Sequence, residues 1–148
     1  MSWRDSVSQG CQDDLDELLN QALPFAQQTL AKYGEFYPYA VSMRVDGEIR
    51  MVGAHEGSEH PKSTDLLQLL YEGLRAQATD LRGVAVVSDV RIKDPDGDAV
   101  RVEMEHREGV AMGVLLPYRV RKKLIGREVT YGEMLGSQAE RRVWLASS

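Results

Sequence analysis

The sequence predicts an α+β domain, a five-stranded, mainly antiparallel sheet covered by helices, with elements in the order α-β-β-α-β-β-β-α. Three observations carry that expectation. Two long stretches place apolar residues at spacings of three and four, the signature of a one-sided helix. Five shorter stretches alternate apolar and polar residues, as half-buried strands do. Turn-forming pairs such as Asp46-Gly47 and Glu108-Gly109 separate several of these stretches by only a few residues, which suits antiparallel hairpins.

The first helix is read from Leu15, Leu18, Leu19, Ala22, Ala26, Leu30 and Tyr33. Asp13, Asp14, Asp16 and Glu17 crowd its expected first turn, where negative charge suits the helix dipole, and Gly34 supplies the stop. Pro24 removes a backbone donor in mid-helix, so a kink or two abutting helices are expected there. Residues 1–10 are polar and expected to fray. Tyr37, Tyr39, Val41, Met43 and Val45 then alternate along a strand, Asp46-Gly47 turns it, and Glu48–Ala54 returns. After the polar loop His55–Lys62, Ser63 or Thr64 caps a second helix with a stripe of Leu66, Leu67, Leu70, Leu74 and Ala78.

A three-strand meander follows, with Val84 to Ile92 on the first strand, Val100 to Met104 on the second and Val110 to Leu116 on the third. Its turns are Asp94-Pro95-Asp96-Gly97 and Glu108-Gly109. Arg101, Glu103, Glu105 and Arg107 fill alternate positions of the middle strand, which predicts one charged, solvated sheet face. Thr130 and Glu133 have capping-box spacing and open a last helix running towards Val143. With no repeat, low-complexity tract or dividing linker, residues 1–148 read as one domain.

Charge narrows the function classes. The net charge is −5, and it is uneven: residues 1–80 hold 6 Lys/Arg against 13 Asp/Glu, and residues 81–148 hold 12 against 10. That balance disfavours coating a nucleic acid, which needs clustered positive charge, and suits self-association or a polar protein partner. Cys11 is the only cysteine, so no intrachain disulfide forms. The acidic start lacks the apolar run of a signal peptide, and the apolar clusters are strand-length, so the expectation is a cytoplasmic protein without a membrane partner.

The element order resembles that of profilin-like and roadblock-like domains, whose members include dimeric scaffolds and regulators. The segment Gly34-Glu35-Phe36-Tyr37-Pro38-Tyr39-Ala40, followed by a strand and Asp46-Gly47, resembles a segment of about 20 residues in small uncharacterised bacterial proteins. Some of those are suspected of neutralising toxins passed between competing cells. The resemblance implies an immunity or inhibitor role and brings no catalytic residue with it.

Several constellations invite chemistry. His55, Glu56, Glu59 and His60 are plausible metal ligands in one loop, but they fit neither HExxH nor HxxEH, and Gly57 and Pro61 argue against the helix those patterns need. Asp94, Asp96, Asp98 and Glu105 imitate a calcium loop, yet Ala99 stands where its glycine belongs. Ser88 lies on an expected core face without a glycine elbow, Cys11 has no neighbouring base, and His106 sits among charges where solvation is expected. Arg119, Arg121, Lys122, Lys123 and Arg127 form the single basic cluster, a patch for an anion or an acidic partner. Tyr33, Phe36, Tyr37 and Tyr39 offer apolar area with polar tips, as interfaces do, and Met43, Met51, Met104 and Met112 read as core filler.

The reading that follows is a non-catalytic interaction or regulatory protein without a cofactor, either a homodimer or a binder of another protein. The alternative is a small-ligand or metal-binding domain, enzymatic or not, that uses the His55–His60 loop.

Overall fold

The computed structural model describes residues 7–53, 62–93 and 96–145. Helix α1 spans Gln9–Tyr33, strand β1 Tyr39–Arg44, β2 Ile49–Gly53 and helix α2 Ser63–Ala76. A 3-10 turn at Ala78–Asp80 leads into β3 Leu81–Lys93, β4 Asp96–His106, β5 Val110–Lys122, β6 Arg127–Tyr131 and β7 Leu135–Ser137. The class is α+β as expected. The sheet, however, has seven strands in the order β2-β1-β3-β4-β5-β6, with β7 also on β5, and every pairing is antiparallel.

The last expected helix is absent: β6, β7 and an irregular tail occupy 127–145. Thr130 and Glu133 do have capping spacing, but Gly132 and Gly136 lie inside the proposed helix, and each glycine costs a helix about 1 kcal/mol. The free edge of β5 satisfies the same backbone groups without that penalty, pairing Tyr118 with Tyr131 and Leu115 with Leu135. Strands β6 and β7 therefore run along one edge of β5, interrupted at residues 132–134.

Alternation along the strands divides the interior into two cores. On one face, Val41, Met43, Ala85, Val87, Val100, Val102 and Leu116 meet the α1 stripe of Cys11, Leu15, Leu18, Ala22, Ala26 and Leu30. On the other, Ala40, Val84 and Val86 meet Leu70, Tyr71 and Leu74 of α2, together with Val143 from the tail. Burying each leucine contributes about 2 kcal/mol. Close approach of α1 to β3 depends on Gly83, where a Cβ would lie 2.8 Å from the Leu18 side chain.

Helix α1 begins earlier than the acidic cluster suggested, with Ser8 as N-cap accepting from the Cys11 N–H at 3.1 Å, so residues 9 and 10 are helical. The buried stripe reaches back to Cys11, and that burial sets the start. At α2, Lys62 occupies the cap position without a side-chain bond, and Ser63 is the first helical residue. The middle strand departs further from expectation. Its charged face is not simply solvated: Glu105 is 3% exposed and accepts the N–H groups of Arg142, Val143 and Trp144 at 2.8–2.9 Å. A carboxylate receiving three consecutive amides pins the tail across the α2 side of the sheet. Arg142 stacks on Tyr71 at 5.3 Å, and the Trp144 indole donates to the Ala78 carbonyl at 3.2 Å.

Candidate functional site

A cleft of about 830 Å³ lies at the corner where α1 hands the chain to β1. Phe25, Thr29 and Tyr33 recur every four residues along α1 and form one wall, beside the buried stripe of Ala22, Ala26 and Leu30. Gly34 ends the helix in the left-handed conformation (φ 79°), its N–H bonded to the Leu30 carbonyl at 2.8 Å, and the chain then crosses the cleft as residues 35–38. Met51 and Gly53 of β2, with Ser63 at the start of α2, complete the rim.

Pro24 shapes this corner without breaking α1 in two. It lacks a donor, so the helix ladder is weakened there. The Tyr39 hydroxyl enters the ladder, donating to the Ala22 carbonyl and accepting from the Ala26 N–H at 3.0 Å. Those two groups are the pair an uninterrupted helix bonds directly. Burial raises the Tyr39 hydroxyl far above its ordinary pKa, so it stays a neutral bridge. Phe25 and Phe36 meet the Tyr39 ring edge-on at 4.8 and 5.9 Å.

Among the described residues, the only charged ones lining the cleft are acidic, Glu35 and Asp89. Asp89 ends an apolar run on β3, on the same face as Ala85 and Val87. Its carboxyl is raised above the usual range, first by burial and further by Asp98 and Glu35, against the lowering effect of bonds from the Tyr118 hydroxyl and the Phe36 N–H. Tyr118 is raised in turn by burial and by that bond. A carboxylate with two donors retains acceptor capacity. Aromatic walls beside such a carboxylate favour a cation attached to an apolar body.

The structure gathers Tyr33, Phe36, Tyr37 and Tyr39 at this cleft but divides their work. Phe36 and Tyr39 are buried and pack the corner, Tyr33 is exposed, and Tyr37 is half-buried. The basic cluster lies on the β5–β6 hairpin, where Arg119, Arg121, Lys122, Lys123 and Arg127 are all exposed. Lys123 pairs with Glu128 at 3.5 Å, and Arg127 donates to the Lys32 carbonyl at 2.7 Å. His55, Glu56, Glu59 and His60 lie outside the described residues. Asp96 and Asp98 pair with Arg91 at 3.3 and 3.6 Å on the β3–β4 hairpin, in keeping with a turn.

A second cluster joins the start of α1 to the end of β4. Cys11, His106 and Glu108 place possible ligand atoms within 4.8 Å of one another. His106 is buried rather than solvated because Asp14 reaches its Nε2 at 2.9 Å, while its Nδ1 accepts the Glu108 N–H at 3.2 Å. Both ring nitrogens are thus occupied. Burial, then Glu108 and Asp14, push the Cys11 thiol up to about 11, where it is a poor nucleophile and a poor ligand. Arg82 closes the network on Asp14 at 3.0 Å, so the cluster works as a latch between α1 and the sheet.

Sequence reasoning missed Phe25, Glu35 and Asp89, and it took Met51 for core filler, whereas Met51 is exposed at the cleft rim. One signal was present: Asp89 follows the run Val84-Ala85-Val86-Val87-Ser88, an unusual setting for a carboxylate. Comparison with protein-family models, with curated proteins and with solved structures finds no match.

Proposed function

We propose that this chain is a non-catalytic recognition domain whose aromatic, acidic cleft receives a basic, apolar segment of a protein partner. One observation carries the reading: among the described residues, Glu35 and Asp89 are the only charges lining the cleft, set beside Phe25, Tyr33 and Met51. Apolar contact supplies affinity, and the carboxylates select the sign of the charge. The narrower forms of this role are an inhibitor or immunity protein against a basic partner, and a regulatory scaffold built from two copies. No helix among the described residues is long and apolar enough to cross a membrane.

The test is a titration of isotope-labelled protein, followed by NMR, with short peptides that place arginine or lysine beside leucine or isoleucine. Shifts should concentrate on Phe25, Thr29, Tyr33 and Asp89, and a peptide with glutamate at the basic positions should leave them unmoved. Equal responses to both peptides, or shifts confined to another surface, would refute the proposal.

A further inference from the structure

Leu124 and Ile125 form the tip of the β5–β6 hairpin, and no described residue covers them: Leu124 is wholly exposed and Ile125 92% exposed. Two adjacent large aliphatics on a tight turn are costly to leave in water. The turn itself is well formed, with the Lys123 N–H on the Gly126 carbonyl at 3.1 Å and Gly126 in the left-handed conformation (φ 77°). Cations surround the tip. Arg119, Arg121 and Lys122 have no acidic side-chain partner among the described residues, and partly exposed Val120 extends the apolar strip down the hairpin. The tip therefore presents an apolar pair in a basic collar, the chemistry inferred above for the occupant of the cleft.

We propose that the occupant is the 119–127 hairpin of a second copy of this chain. The inference rests on the cleft reading given under the proposed function. Charge complementarity favours a second copy, because its cleft offers Glu35 and Asp89 at short range to the basic collar, beside aromatic walls that receive the apolar pair. Position allows the exchange to close. Arg127, in the strand pair next to the turn, bonds the Lys32 carbonyl at 2.7 Å and packs against Gly34, next to Tyr33 and Glu35 of the cleft. Tip and cleft thus share one end of the molecule, so two copies related by a two-fold axis insert reciprocally rather than growing into a filament. Each copy contributes the residues that complete the other's site.

Size-exclusion chromatography with light scattering tests this on the full chain, with circular dichroism to verify folding. The wild type should run at twice the 16.6 kDa chain mass. Leu124→Asp with Ile125→Asp changes only exposed side chains and should give a folded monomer. Glu35→Lys alone, and Lys122→Glu with Lys123→Glu, should each weaken the dimer at least about tenfold. Combining the three reversals should restore it. A dimer indifferent to the tip substitutions would overturn the proposal. So would a monomeric wild type, whether it binds a peptide of residues 119–127 at the cleft, which upholds the cleft reading alone, or sediments with phosphatidylserine vesicles through Leu124 and Ile125.

Discussion

Asp89 is poised between two opposing influences, and its titration makes that visible. The folded chain holds the Asp89 proton to a higher pH than the unfolded chain does, because burial outweighs the bonds from Tyr118 and Phe36. Between the unfolded value of about 3.9 and the raised folded value, the native state binds more protons, so Asp89 removes stability as pH rises through that window. Asp89→Asn should show a flatter stability–pH profile there, the difference from wild type growing with pH and levelling off above it. Urea denaturation at a series of pH values measures this, and parallel profiles would contradict it. A basic ligand demands the ionised form, so its affinity should fall as pH drops through the raised value and lose that dependence in Asp89→Asn. Cys11 allows a plainer check. Buried and raised to about 11, it should resist iodoacetamide in the native protein at neutral pH and react fully in denaturant. Tyr39→Phe removes the hydroxyl that bridges Ala22 and Ala26 and should cost about 1 kcal/mol of unfolding free energy, since the helix ladder can partly close behind it.

Among the elements, the tail depends most on a single side chain. Glu105 gathers the amides of Arg142, Val143 and Trp144, and Val143 seals the α2 core. Glu105→Gln turns one acceptor into a donor facing an amide, so the fold should lose about 2–3 kcal/mol. Hydrogen exchange at residues 142–144 should accelerate ahead of exchange in β3 and β4; uniform acceleration would mean that the tail is not separately held. These contacts also mark where local pattern stopped being informative. Periodicity located α1, α2 and strands β1, β3, β4 and β5, because each of those buries a face and leaves that face written in its own residues, whereas β2, which buries no residue fully, was placed by the Asp46-Gly47 turn before it. Glu105 looked like a solvated strand position because its partners lie more than thirty residues away and are backbone amides, which no side-chain pattern records. Strands β6 and β7 were illegible for a related reason: they sit at an edge, half exposed, and their conformation is decided by the open side of β5.

At the scale of the whole molecule, the aromatic corner and the basic cluster were both legible as separate stretches, and their closeness was not. It arises because Gly34 turns the chain at the end of α1 just where Arg127 arrives from the opposite edge of the sheet. Glu35 of the acidic first half and Asp89 of the second are thereby set at the same end as the basic tip, an arrangement that composition alone could only hint at through its uneven charge. Such an arrangement makes association sensitive to ionic strength. Apolar burial by itself is little affected or slightly strengthened by salt, whereas attraction between exposed charges is screened over about 10 Å at 0.1 M. Raising salt from about 0.05 M to about 0.5 M should therefore weaken the wild-type dimer roughly tenfold, as read by sedimentation equilibrium. The triple reversal Glu35→Lys with Lys122→Glu and Lys123→Glu should still weaken with salt, because the exchanged groups stay opposite in sign while Asp89 still faces Arg119 and Arg121. A dimer that tightens with salt would place its interface on apolar contact alone and remove Glu35 and the basic collar from it.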